Sequence, residues 1–244
     1  MIKLQGISKE ELVTLVQLSS DIYNGSHGEP IYSPVGSNIE YTEVNGIKVG
    51  YGNYNGGLLF VFKGTDGTLE WINNVNFYQS EITYKPKSKE RVEGGFFNQY
   101  RMLRSWVRNK IDLNRHIPKV YLVGHSLGAA VTQLCAHDIS EDIPHLVEII
   151  SVAVASPRVG NSYFAKALNR RVPLSYRIKY REDIVTKVPW DILMNYSHSS
   201  NYRIWLNKPT MWWKLRHPSK SFFGVPRDHY PQNYVCGVMS EVVE

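Results

Sequence analysis

The sequence predicts an α/β fold, with a mostly parallel central sheet entered through an N-terminal antiparallel meander and helices on both faces. Three observations carry this. From Gly95 onward, buried-strand runs alternate with helices of about 10 to 15 residues, the pattern of crossover units. Before that, turn dipeptides separate short strands. At residues 120–130, VYLVGHSLGAA, a strand passes into a helix with no ordinary loop between them. The 244 residues are 43% hydrophobic and 20% charged, which suffices for one sizeable core. With no repeat, low-complexity tract or linker in view, residues 1–244 read as one domain.

Taken in order, Ser8 to Tyr23 has apolar residues at a helical period, and Ser8 with Glu11 forms a capping-box pattern. Ile39–Val44 and Ile47–Tyr51 flank Asn45-Gly46, a pair that tolerates the positive φ of a tight hairpin turn. Tyr54 to Gly57 is a second turn, and Leu58 to Phe62 a buried strand. Gly95 to Asn114 is a long helix. The strand at Val120 and the helix from Leu127 to Ala136 follow, then a buried strand from Glu148 to Ala155. Asn161 is the expected N-cap of a helix running to Arg170, and Tyr176 to Tyr180 is a strand. From Pro189 on, prolines dominate and the pattern is weak.

Composition excludes several classes. No apolar run reaches the roughly 18 residues of a membrane span. The N-terminus MIKLQGISKEELV lacks the form of a signal peptide, so a cytoplasmic location or export by a non-classical route is expected. Cys135 and Cys236 make neither a disulfide framework nor a metal-ligand spacing, and Cys135 reads as a small core residue. The net charge of +6 favours anionic surfaces, but no nucleic-acid recognition motif accompanies it.

The corner Gly124-His125-Ser126-Leu127-Gly128 has the form G-x-S-x-G between a strand and a helix, the context of a nucleophile elbow. A serine hydroxyl needs a base to become nucleophilic and a turn that projects it into a cleft. Glycines on either side permit the close approach of helix and strand that such a turn demands. The helix N-terminus supplies N–H groups and partial positive charge where an oxyanion would form. A phosphate loop would need a lysine after the second glycine, where Ala129 stands.

On an α/β-hydrolase sheet the partners follow in the order Ser, Asp or Glu, His. Asp183 is the best-placed acid, at the carboxyl end of the strand ending at Tyr180; Asp191 is the alternative. After Asp183 the histidines are His198, His217 and His229, and the order favours His229 as base. His125 is expected to point away from Ser126 and support the site. Leu127 N–H and Thr65, after the strand at Leu58–Lys63, are the expected oxyanion donors, each worth about 3 kcal/mol to a transition state.

These residues make the sequence resemble the class 3, fungal-lipase-like branch of the α/β-hydrolases, over roughly Leu58 to Tyr234. Val61 to Thr65 with Glu70-Trp71, Val92-Glu93-Gly94-Gly95-Phe96 with Tyr100, Gly124 to Ala130, Ala155 to Asn161, and Asp183 to Pro189 with His229 and Tyr234 carry the likeness in order. The resemblance implies Ser126 as nucleophile, Asp183 as acid, His229 as base, Thr65 and Leu127 as oxyanion donors, and cleavage of carboxylic esters of lipids without metal or cofactor. Triacylglycerol lipase or carboxylesterase is the expected activity; phospholipase A1 on anionic membranes and a non-catalytic lipid-binding protein are the alternatives. Glu93, Thr186 and Ala155 depart from the family's histidine, proline and glycine.

Two segments bear on substrate. In the related lipases the stretch after the oxyanion residue is a lid, here roughly 66–91; a mobile lid and a fixed surface helix fit its pattern equally. Asn201 to Pro226 has only basic charges, Arg203, Lys208, Lys214, Arg216 and Lys220, interleaved with Trp205, Trp212, Trp213, Phe222 and Phe223. Transient contact with a lipid interface is one reading of it. The favoured reading is a hairpin with the three tryptophans in the core.

Overall fold

The computed structural model describes residues 4–24, 30–32, 38–65, 77–143, 145, 148–189, 194–223 and 225–242. Helix α1 is Lys9–Asp21, opened by Ser8, whose side chain accepts from Glu11 N while Glu11 accepts from Ser8 N at 2.7 Å, the expected capping box. Strands β1 (Pro30–Tyr32), β2 (Asn38–Val44), β3 (Ile47–Tyr54) and β4 (Gly57–Phe62) form the meander. Asn45 and Gly46 take φ of 51° and 80° at the β2–β3 turn. A small hairpin follows, β5 (Gln79–Glu81) with β6 (Arg91–Glu93). Then come α2 (Gly94–Leu113), β7 (Lys119–His125), α3 (Leu127–Asp142), β8 (Glu148–Val154), α4 (Ser162–Arg171), β9 (Leu174–Tyr180) and β10 (Tyr202–Leu206). Short helices α5 (Met211–Arg216) and α6 (Pro218–Phe223) lead to α7 (Pro231–Val242).

The main sheet runs β1-β2-β3-β4-β7-β8-β9-β10, antiparallel through β4 and parallel from β4 to β10. Parallel strands all end on one edge. The carboxyl ends of β4, β7, β8, β9 and β10 therefore share a rim, where ligands of open α/β sheets bind. Alternate strand residues divide between two cores. Leu59, Val61, Tyr121 and Val123 face α1 and α7, packing on Leu12, Leu15 and Val238. Phe60, Phe62, Val120 and Leu122 face the other way, onto Phe96, Tyr100, Leu134 and Phe164 of α2, α3 and α4. Buried Asp138 ties α2 to α3, accepting from Tyr100 at 2.6 Å and from Arg104 Nε at 2.8 Å.

Two segments differ from the sequence expectation. Strand β10 pairs parallel to β9 from Tyr202↔Tyr176 to Leu206↔Tyr180, and α7 packs on the β9–β10 end of the sheet; neither had a readable period among the prolines. The 201–226 segment is a strand followed by short helices, and Trp212 lies 75% exposed instead of in a core. Of the lid segment 66–91, residues 66–76 lie outside the described residues. Residues 77–91 are held to the body: Tyr84 bonds His137, while Lys85 pairs with Glu90 and with Glu141 of α3. Burial opposes ionisation of Glu90, but hydrogen bonds from His137 and Lys85 outweigh it and hold its carboxyl at about 2. Glu90, His137 and Glu141 have the spacing of a metal cluster, yet Lys85 and Arg171 already sit on the carboxylates.

The strand-to-helix corner sets the tightest packing. A Cβ at residue 128 would lie 2.8 Å from the carbonyl carbon of Phe62, and one at residue 124 would lie 2.9 Å from Thr132 Oγ1. The obstacle at 128 is backbone of β4, which cannot move without breaking the sheet. Gly128→Ala is expected to cost at least about 3 kcal/mol in urea unfolding. Gly46→Ala, at φ +80° with open space around it, is expected to cost about 1 kcal/mol from backbone strain alone.

Candidate active site

Ser126 stands between β7 and α3 with φ 60° and ψ −123°. Strain of this kind in a non-glycine residue costs of order 1–3 kcal/mol and concentrates at functional sites. The backbone around it is well held: Ser126 N donates to Val154 O at 3.0 Å, and Ala129 N to Ser126 O at 3.0 Å. A serine at an N-cap normally uses its hydroxyl to cap the helix. Here it makes no capping bond, and buried Oγ has no hydrogen-bond partner among the described residues. The turn withholds the hydroxyl from the helix it begins.

Asp183 and His229 come together on the same rim, from the end of β9 and the 3₁₀ turn Pro226–His229 before α7. His229 Nδ1 lies 2.9 and 3.1 Å from the carboxylate oxygens of Asp183. A carboxylate only accepts, so Nδ1 carries a proton, and in the neutral imidazole Nε2 keeps its lone pair. That Nε2 is buried and, like Ser126 Oγ, has no partner among the described residues. Asp183 is fully buried and receives two further donors, Val185 N at 2.8 Å and the Tyr234 hydroxyl. Burial and the Asp183 charge push the Tyr234 phenol well above its usual range, so it remains a donor.

His125 supports this pair from behind. Its Nε2 donates to the carbonyl oxygen of His229 at 3.0 Å, and its Nδ1 lies 3.1 Å from the Tyr23 hydroxyl at the end of α1. The His125 and His229 rings are 4.6 Å apart. Burial, then the neighbouring His229, hold His125 well below the usual histidine range, so it is neutral. Tyr23 had no signal in the sequence: it lies about 100 residues from His125, and only the packing of α1 on the sheet brings it near.

The other histidines are elsewhere engaged. His198 Nε2 donates to Thr186 O at 2.8 Å, and burial followed by Arg177 and Arg158 depresses its pKa strongly. His217 stacks on Trp213 at 4.7 Å. Asp191 lies outside the described residues.

Thr65 follows β4, and Leu127 opens α3 at a position whose N–H has no intrahelical acceptor. Both line one cavity of about 460 Å³ with Lys48, Lys63, Gln99 and Glu43. Gly64 brings the β4 end against the elbow; a Cβ there would lie 2.6 Å from His125 O and 3.2 Å from Ser126 Cβ. The departures from the family pattern also have structural roles. Ala155 holds φ 55°, a conformation glycine adopts more easily. Thr186 Oγ1 donates to Asp183 O at 2.8 Å and closes the turn that presents the acid. Buried Glu93 caps α2 by accepting from Phe96 N at 2.7 Å.

The two depressed histidines make stability pH-dependent. Their folded pKa values lie below the unfolded 6.5, so below that pH the unfolded chain binds more protons than the folded one. Stability is therefore full above about pH 7 and falls on acidification, by up to about 1.4 kcal/mol per pH unit for each histidine. Urea midpoints measured from pH 7 to 5 should decline with that slope, and His198→Gln should remove about half of it.

A family model described as Lipase (class 3) matches residues 59–192, more than half of the chain. Among curated relatives, Phospholipase A(1) DAD1, chloroplastic, from Arabidopsis thaliana is 32% identical over 151 residues, 55% of this chain and 34% of that protein. Secreted mono- and diacylglycerol lipase 1 from Fusarium solani is 26% identical over 196 residues, 73% of this chain and 57% of that protein. The chain thus spans from about a third to just over half the length of these two relatives. The solved structure of Rhizomucor miehei triacylglyceride lipase aligns with a TM-score of 0.74 at 22% identity, covering 90% of this chain and 92% of that one. Mono- and diacylglycerol lipase from Aspergillus oryzae aligns with a TM-score of 0.69 at 23% identity, covering 85% and 82%. The fold is that of the α/β-hydrolases, and the chain belongs to the class 3 lipase family.

Proposed function

We propose that this chain, read as one α/β-hydrolase domain, is a serine hydrolase cleaving carboxylic esters of lipids through Ser126, His229 and Asp183. One observation carries the reading. Ser126 Oγ and His229 Nε2 are both buried on one rim without a partner among the described residues, while His229 Nδ1 is bonded to Asp183. The reading takes these two atoms as nucleophile and base.

In the proposed cycle His229 Nε2 takes the Ser126 proton as Oγ attacks the ester carbonyl, and Asp183 stabilises the imidazolium. The oxyanion forms beside the start of α3, where Leu127 N–H and Thr65 supply donors and the helix end supplies partial positive charge. His229 then protonates the departing alcohol, and water hydrolyses the acyl-enzyme by the same groups. Each step uses side chains and backbone of this chain.

Acylglycerol esters are the first substrate reading, because the fungal relatives bear that name. Phospholipid esters are the second, favoured by the basic rim around β10 and by the relative named as a phospholipase A(1). A panel of triglyceride, phospholipid and short p-nitrophenyl esters separates them.

Ser126→Ala is expected to lower ester hydrolysis by about 10⁴-fold or more and to abolish labelling by a fluorophosphonate probe. Asp183→Asn should cost about 10⁴-fold, and His198→Ala should leave the rate nearly unchanged. Undiminished turnover in Ser126→Ala protein overturns the assignment.

A further inference from the structure

Helix α5 presents an apolar face to solvent. Met211, Trp212 and Leu215 are 72%, 75% and 65% exposed, and their i, i+1, i+4 spacing puts them on one side of the helix. The other side is anchored. Trp213 lies under Arg181 and stacks on His217, and Lys214 reaches both buried Glu182 at 3.5 Å and the Trp205 ring at 4.8 Å. Thr210 caps the helix by accepting from Trp213 N at 3.2 Å. The orientation of α5 is therefore set by its inward contacts, and the apolar face is what remains.

The segment that bears this face carries charge of one sign. Lys208, Arg216 and Lys220 are exposed beside it, and no aspartate or glutamate occurs from Asn201 to Pro226. The acids that approach from neighbouring segments are occupied: Glu182 by Lys187 at 2.8 Å, Asp228 by Glu182 N at 3.0 Å, and Glu241 by Asn207 N. Helix α5 also follows the carboxyl end of β10, so it lies on the same rim as Ser126 and Asp183. Val225 N donates to Glu182 O at 2.6 Å, which ties the end of the basic segment to the loop bearing the acid.

We propose that the outward face of α5 is a docking surface for an anionic lipid bilayer, which it meets with the catalytic rim turned toward the membrane. A tryptophan flanked by aliphatic side chains suits the headgroup boundary, and cations beside it are drawn to anionic lipid. Charge complementarity selects this occupant over a second copy of the chain, which would bring basic face to basic face. The docking does not depend on the ester reaction.

The test uses Ser126→Ala protein, so that binding is read without turnover. It is co-sedimented with vesicles of phosphatidylcholine alone and of phosphatidylcholine mixed with phosphatidylglycerol, at low and at physiological salt. Binding should require phosphatidylglycerol and weaken with salt. A Met211→Ser, Trp212→Ser, Leu215→Ser variant and an Arg216→Glu, Lys220→Glu variant should each bind about tenfold more weakly or less, with unchanged urea midpoints. Equal binding by the variants, indifference to lipid charge and salt, or a dimer that the apolar variant dissociates overturns the proposal. Absence of esterase activity in the unsubstituted protein, with vesicle binding intact, would instead count against the ester reading alone.

Discussion

The close approach of two backbones at the end of β4 governs the rest of this structure. Gly128 at the start of α3 lies against the carbonyl group of Phe62, with Gly124 packed on Gly128 from below. Because neither position carries a side chain, α3 can begin directly over the sheet, and Ser126 must take a positive φ to connect them. That strained residue holds its hydroxyl off the helix it would otherwise cap, and Leu127 after it lines one cavity with Thr65 of the neighbouring strand end. A looser corner would return the serine to ordinary capping.

Electrostatics around Asp183 and His229 follow from burial more than from proximity alone. Asp183 is enclosed, and its charge is met by His229 Nδ1, Tyr234 and Val185 N. These bonds determine that Nδ1 of His229 bears a proton and leave Nε2 for the role the proposed mechanism gives it. His125 extends the control one layer further, since its bond to the His229 carbonyl sets the position of the loop instead of the ring. A neutral His125 is required there: a second cation 4.6 Å from His229 would oppose the imidazolium that the proposed mechanism forms.

The polar layer at the β9–β10 end of the sheet has a different character. Lys179, Lys208 and Lys214 surround the Trp205 ring at 4.4 to 5.0 Å, and burial pushes Lys179 down to about 8. Glu182 is the buried counter-charge that Lys179, Lys187 and Lys214 share. This arrangement supports α5 from beneath and leaves its hydrophobic side chains nothing within the described residues to cover them. The same loop carries Glu182 and Asp183, so the candidate acid and the basic platform are built from one segment.

Local signals are strong where one residue type answers one steric demand. Asn45-Gly46, the Ser8–Glu11 box, the Asn161 cap and the G-x-S-x-G corner were legible because positive φ, capping and close approach each admit few side chains. The carboxyl end of a parallel strand made Asp183 legible, since such ends share an edge, and the Ser–Asp–His chain order made His229 legible. Packing decided the remainder. Tyr23 meets His125 only because α1 lies across the sheet, and Trp212 is exposed only because Trp213 and Lys214 take the inward side of α5. The sequence by itself determined the fold class, the elbow and the identity of the candidate acid and base, through short-range sterics and strand order. Tertiary structure alone decided the tautomer of His229, its support by Tyr234 and His125, and the face that α5 turns outward, because each depends on contacts between segments far apart in the chain.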